Sequence, residues 1–126
     1  MTVRAVIPQL RTTDLDTSIE FYVDRLGFAL EFRYGDFYAG IKAGDHTIHL
    51  KLADARDPSI PFVAAGDHLH LYFQVDDVAA EAQRLRATGV QFRHQLADTA
   101  WGTREFTIVD DQGHLLCFGE IPPAQH

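Results

Sequence analysis

One pattern occurs twice along this chain, and few folds can accommodate that. Asp14 to Gly27 is a helical segment with an apolar stripe that stops on a glycine, and Asp76 to Gly89 is another. Aspartate and glycine both recur at an offset of sixty-two residues, close to half of the 126. Each segment follows a short alternating run and precedes three more strand-like runs, so the spacing predicts a duplicated βαβββ unit and an α+β fold. A half-sheet this small cannot hide a core alone. The two copies are expected to pack together, with the concave faces of curved mixed sheets forming a cup for a small molecule.

The boundaries follow from turn chemistry. Val3 to Gln9 alternates and reads as a first strand; Asp14 or Asp16 caps the helix, Ile19, Tyr22, Val23 and Leu26 share its apolar face, and Gly27 ends it. Phe28 to Tyr34, Phe37 to Ala43 and His46 to Leu52 complete a first module over 1–52, with Gly44-Asp45 as a hairpin turn. Residues 53–67 read as a linker whose Ile60, Phe62 and Val63 pack onto something. The second module, 68–120, opens with His68 to Val75, where His68, His70, Tyr72 and Gln74 share one face and Leu69, Leu71, Phe73 and Val75 the other. Asp77 caps its helix, and Val90 to Gln95, Arg104 to Val109 and Leu115 to Gly119 follow, with Asp110-Asp111-Gln112-Gly113 as the last turn and 121–126 as a frayed tail.

Composition narrows the class. The length and 46% hydrophobic content suit one globular domain, and Cys117 as the only cysteine excludes an internal disulfide. Neither a secretory apolar run near Met1 nor a membrane-length apolar stretch is present, so a cytoplasmic protein without a membrane partner is expected. A net charge of −7 with 11 Lys and Arg argues against nucleic acid, whose binding is driven by basic side chains, and is compatible with a cationic ligand. Nucleophilic catalysis finds no support: Ser18 lies in the helix, Ser59 in the linker, and the thiol lacks an evident base.

Three stretches, Asp14-Leu15-Asp16-Thr17-Ser18-Ile19-Glu20-Phe21-Tyr22 with Leu26-Gly27-Phe28, Arg104-Glu105-Phe106, and Asp110-Asp111-Gln112-Gly113-His114 running on to Glu120, together resemble the vicinal oxygen chelate superfamily. That superfamily includes glyoxalase I, extradiol dioxygenases, fosfomycin-resistance and bleomycin-resistance proteins. Gly27 to Leu50, with Phe32, Asp36-Phe37, Gly40 and Ile48-His49-Leu50, is similar to the bleomycin-resistance branch in particular. The resemblance implies a homodimer, with arm exchange at the hinge Pro8 as one arrangement, that sequesters a planar antibiotic or metabolite without chemistry. Phe32 and Phe37 would clamp the flat ligand, and His49 and Tyr72 would line the groove. The alternative role for Phe32 and Phe37 is ordinary core.

Other candidates come from position. Lys51 shares the face of His49, Trp101 sits beside Gly102 as a groove lip, and Glu105 is a candidate acid, base or ligand contact. Glu31, Asp36 and Asp98 are carboxylates suited to a cationic drug. In metal-dependent members of the superfamily the ligand positions correspond to Ile7, His49, His70 and Cys117 here, so a metal-dependent glyoxalase-like lyase or dioxygenase-like enzyme is the competing reading. His49, His70 and Cys117 are plausible zinc ligands. Ile7 cannot coordinate, and no carboxylate occupies the four positions, so no cofactor is the favoured expectation. His70 as a hydrogen-bonding pocket residue and Cys117 as a small buried hydrophobe remain open beside it.

Overall fold

Side chains start the first helix. In the computed structural model, which describes residues 1–120, the Asp14 carboxylate accepts from the Thr17 N–H at 3.1 Å and caps α1 (Leu15–Glu20). Just ahead of it lies β1 (Gln9–Thr12), whose buried Thr12 hydroxyl accepts from the Ser18 hydroxyl at 2.6 Å and the Asp14 N–H at 3.0 Å. Ser18 is therefore a buried staple between helix and strand. A π turn, Phe21–Arg25, continues α1, with the Leu26 N–H donating to the Phe21 carbonyl five residues back. Gly27, at φ +79°, then ends the helix.

Three antiparallel strands follow: β2 (Ala29–Tyr34), β3 (Tyr38–Ala43) and β4 (His46–Leu52). β1 pairs parallel with β4, giving the order β1-β4-β3-β2. Leu10, Ala39, Ile41, Ile48 and Leu50 are buried on one face, with Leu15, Phe21, Tyr22 and Leu26 also buried in this unit. Each large side chain so buried contributes about 2 kcal/mol. Ile19 and Val23, expected on the same stripe, are only half-buried.

The chain divides into compact units between Asp57 and Pro58, inside the expected linker. The second unit begins with a helix where turn chemistry predicted a loop, α2 (Ser59–Ala65). Ile60 is buried and Val63 half-buried, but Phe62 is 80% exposed, because helical periodicity turns it away from the face that holds Ile60. Then come β5 (Leu71–Gln74), α3 (Val78–Ala87), β6 (Gln91–Asp98), β7 (Arg104–Val109) and β8 (Leu115–Glu120), ordered β5-β8-β7-β6 with β5 and β8 parallel. Asp77 caps α3 through the Ala80 N–H, Glu120 Oε2 takes the Val78 N–H at 2.9 Å, and Gly89 closes the helix at φ +79°. The structural counterpart of Asp14 is thus Asp77 rather than Asp76. The first helix carries one residue more between cap and glycine, and its π turn absorbs that residue without rotating the flanking faces.

Both opening strands are shorter and later than their alternation suggests. With Gln9 opposite His49, the residues before Val6 have no β4 residue facing them, and residues 1–7 are exposed and outside any strand. With Leu71 opposite Leu116, His68 and Leu69 run past the start of β8 in the same way. The expected tail, 121–126, lies outside the described residues.

Two polar clusters hold the second unit. Asp110, buried in the last turn, accepts from the Gln112 N–H, the His114 N–H and His114 Nδ1 at 2.8 to 3.0 Å. Asp67, in a left-handed conformation at φ +58°, receives His94 Nε2 at 2.8 Å and lies 3.6 Å from Arg93 Nε. The His94 hydrogen bond, against a smaller desolvation effect and aided by the His94 and Arg93 charges, holds the Asp67 carboxyl below its ordinary 3.8. No described helix is long and apolar enough to cross a membrane.

Deleting Asp24 from the π turn should restore a plain α-helix and cost less than about 2 kcal/mol in urea unfolding. Deleting Arg84 from α3 should cost more, about 2 to 3 kcal/mol or above, because Leu85 rotates off the face of Val78 and Ala82. Asp67→Asn keeps a residue tolerant of positive φ while removing the charge. Asp67 stabilises fully above the unfolded value of 3.8 and loses that contribution as pH falls through its lower folded value. Urea midpoints of wild type and Asp67→Asn should therefore differ at pH 7 and converge in acid.

Candidate functional site

Strand alternation gives each sheet a second face, opposite its helix-packed one. On the first sheet that face carries Gln9, Tyr38, Gly40, His49 and Lys51. The irregularity in β2 at Glu31 sets Phe32 opposite Gly40, and the ring lies where a Cβ on Gly40 would have to sit. Phe32 and Tyr38 are close to parallel (13°, centroids 6.3 Å apart), and both meet the His49 ring edge-on at 5.4 and 5.2 Å. Gln9 Nε2 donates to the Tyr38 hydroxyl at 3.0 Å, and that hydroxyl shares a hydrogen bond with His49 Nδ1 at 2.9 Å.

Phe37 is elsewhere. It is 52% exposed at the β2–β3 hairpin tip, over Gly35 and edge-on to Tyr34 at 5.9 Å. Of the expected clamp, Phe32 joins His49, and Tyr38 rather than Phe37 supplies the parallel ring. The signal for Tyr38 was its position two residues before Gly40, on the same face of β3. Lys51 is exposed and stands opposite Tyr38 in the ladder. Glu31 pairs with Lys42 at 3.6 Å and Asp36 with Arg33 at 3.3 Å.

The second sheet carries a different set. The Tyr72 hydroxyl donates to Glu105 Oε2 at 2.7 Å, and the Thr103 hydroxyl donates to the same oxygen at 3.0 Å. Gly119 lies beneath Tyr72, where a Cβ would collide with the phenol. Burial and then the Glu105 hydrogen bond raise the Tyr72 phenol above its ordinary value. Cys117 is buried beside them; burial, opposed by a Thr107 hydrogen bond and reinforced by Glu105, pushes its thiol up to about 11. Trp101 is 69% exposed on a loop clasped by Thr99 and Thr103, whose hydroxyls meet at 2.7 Å. Asp98 at its base pairs with Arg104.

His70 sits just before β5, its ring edge-on to His114 at 4.9 Å and its Nδ1 accepting from the Leu115 N–H at 2.9 Å. In a neutral ring the proton is then on Nε2. The zinc set inferred above fits poorly with these contacts. Ile7 lies outside any strand and carries no donor atom, His70 spends its Nδ1 lone pair on the Leu115 N–H, and burial raises the Cys117 thiol away from the thiolate a metal would need. Among the described residues, no three His, Cys, Asp or Glu side chains gather as a metal site.

Gly40→Ala should drive Phe32 off His49 and cost about 1 to 3 kcal/mol in unfolding free energy. The His49 ring signals in NMR should move with it, since Phe32 no longer meets that ring edge-on.

Comparison with known proteins places the chain. Residues 4–118 match the model of the Glyoxalase/Bleomycin resistance protein/Dioxygenase superfamily. The putative glyoxylase CFP32 of Mycobacterium tuberculosis is 31% identical over 119 residues, covering 92% of this chain but 42% of its own length, so the chain spans less than half of that relative. A bleomycin resistance protein of Geobacillus stearothermophilus is 26% identical, covering 89% of this chain and 92% of that one. The crystal structure of a glyoxalase/bleomycin resistance protein/dioxygenase from Alicyclobacillus acidocaldarius superposes with a TM-score of 0.80 at 20% identity, over 96% and 93% of the two chains.

Proposed function

The chain belongs to the Glyoxalase/Bleomycin resistance protein/Dioxygenase superfamily, and from that premise we propose that it is a cytoplasmic sequestering protein that holds a small planar antibiotic or metabolite without chemistry. The observation that carries this reading is the ring cluster Phe32, Tyr38 and His49 on the open face of the first sheet, preset by the Gln9 to Tyr38 to His49 hydrogen bonds. Rings already held in place lose little freedom when a flat ligand stacks on them, and each adds about 1 kcal/mol beyond buried area. The full-length likeness to a bleomycin resistance protein supports the ligand class. Phe37 contributes from the hairpin tip, and Lys51 sets a polar edge.

The working unit is a homodimer. Val3 and Val6 stand 66% and 88% exposed in an arm that precedes Pro8, whose carbonyl accepts from the His49 N–H. Apolar residues so placed favour cover by a second copy, with exchange of the arm at Pro8 as the simplest route. No protein-held metal takes part, in keeping with the His70 Nδ1 lone pair held by the Leu115 N–H. The likeness to a putative glyoxylase favours a second reading, a metal-dependent lyase or dioxygenase-like enzyme using His49, His70 and Cys117, and the same titration separates the two.

Metal-free bleomycin titrated calorimetrically into chelator-treated protein should bind at about one drug per chain. Phe32→Ala and Tyr38→Ala should each weaken it by about tenfold or more, and Phe37→Ala by less. Unchanged affinity in both of the first two variants overturns the ring site. Absence of drug binding, with tight zinc uptake that His70→Ala abolishes, overturns sequestration of this drug and favours the metal-dependent reading.

A further inference from the structure

Tyr38 has one hydroxyl proton and two neighbours that can take it. Gln9 Nε2 lies 3.0 Å from the phenol oxygen and His49 Nδ1 2.9 Å from it, and all three side chains are half-buried on the open face of the first sheet. The backbone fixes this trio. Gln9 stands opposite His49 in the parallel ladder, and the Pro8 carbonyl one residue earlier accepts from the His49 N–H. Phe32 and Tyr38 both meet the imidazole edge-on, which holds its plane. Within that frame the protons can be arranged in two ways. With the Gln9 amide N–H donating, the phenol proton is free for His49 Nδ1, and the neutral ring then carries its own proton on Nε2. Turning the amide over about Cγ–Cδ puts Oε1, which is nearly the same size, in the place of the nitrogen. Oε1 then takes the phenol proton, and the contact between the phenol oxygen and Nδ1 survives only with the ring proton on Nδ1. The imidazole Nε2 becomes a bare acceptor. Among the described residues His49 Nε2 makes no hydrogen bond and is not shut off from solvent, so it is the nitrogen a ligand on this face can reach.

We propose that Gln9 determines specificity: through the Tyr38 hydroxyl, the orientation of its amide decides whether His49 offers an N–H or a lone pair at Nε2. One aromatic site thereby takes flat ligands with an acceptor edge or with a donor edge. Gln9 is a positioning residue, acting on the ligand only through Tyr38 and His49. A primary amide suits the task because its two ends present a donor and an acceptor in the same shape, whereas a leucine supplies neither and an ionised carboxylate only accepts. A ligand edge of the wrong polarity leaves a donor or acceptor without its partner, which costs affinity. The flat ligand rests on the planar-ligand reading above; the selection of the tautomer does not.

The test reads the His49 tautomer from its ring nitrogen NMR signals, which separate a protonated from a bare nitrogen, at about pH 9, where an ordinary imidazole is neutral. Gln9→Leu, which cannot take the phenol proton, should hold the ring proton on Nε2. Gln9→Glu, which can only accept, should hold it on Nδ1. Adding Tyr38→Phe to each should abolish the difference between them, whereas a merely structural effect of the Gln9 substitutions would survive it. Isoquinoline, whose edge nitrogen accepts, and indole, whose edge nitrogen donates, are then titrated into the same proteins. Relative to wild type, Gln9→Leu should shift the ratio of their affinities toward isoquinoline and Gln9→Glu toward indole, each by about tenfold. The same tautomer in both Gln9 variants, a difference that persists with Tyr38→Phe, or an unchanged affinity ratio overturns the proposal. If the tautomers switch while neither probe binds any of the proteins, the selection of ligands is overturned. If bleomycin also fails to bind, the planar-ligand reading falls with it.

Discussion

The parallel ladder between β1 and β4, repeated between β5 and β8, governs what each sheet can present. With Gln9 opposite His49, alternation sends Leu10, Thr12, Ile48 and Leu50 into the helix-packed face and leaves Gln9, His49 and Lys51 on the other. A slip of one residue would bury Lys51 and His49 under α1 and expose Leu50, so the hydrophobic pattern holds the register firmly. The hydrogen bonds from Gln9 through Tyr38 to His49 exist only in that register. The same holds for Tyr72 opposite Cys117, which brings the phenol over Gly119 to reach Glu105.

The duplicated scaffold has diverged in chemistry more than in form. Both helices start on a capping aspartate and end on a glycine at φ +79°, and both sheets have the same strand order. The first sheet's open face is aromatic, with an imidazole hydrogen-bonded to a tyrosine. The second sheet's open face is organised around a carboxylate and hydroxyls. In both, a glycine (Gly40, Gly119) gives up its side chain so that a ring from a neighbouring strand can lie flat on the sheet. The two glycines lie on different strands of their modules, Gly40 on β3 and Gly119 on β8.

Imidazoles are versatile, and the contacts of Nδ1 decide what these two can do. His49 shares its Nδ1 hydrogen bond with a phenol hydroxyl, and His70 accepts at Nδ1 from a backbone amide, which leaves Nε2 as the protonated nitrogen of a neutral His70 ring. Cys117, protonated and buried, behaves as a small apolar side chain with a weak donor.

Repeats, caps and turn residues determined a good deal of this protein by themselves: the βαβββ duplication, Asp14, Asp77, Gly27 and Gly89 as helix limits, and the alternation that separates His49 and Lys51 from Ile48 and Leu50. These are local properties, set by backbone preference and by periodicity within a few residues. Tertiary structure decided the rest. Where β1 and β5 begin depends on how far β4 and β8 extend to meet them, so Val3 to Ile7 and His68 to Leu69 alternate without pairing. The π turn in the first helix, the helix Ser59–Ala65, and the choice of Tyr38 over Phe37 as the ring beside Phe32 each depend on packing or cross-strand register.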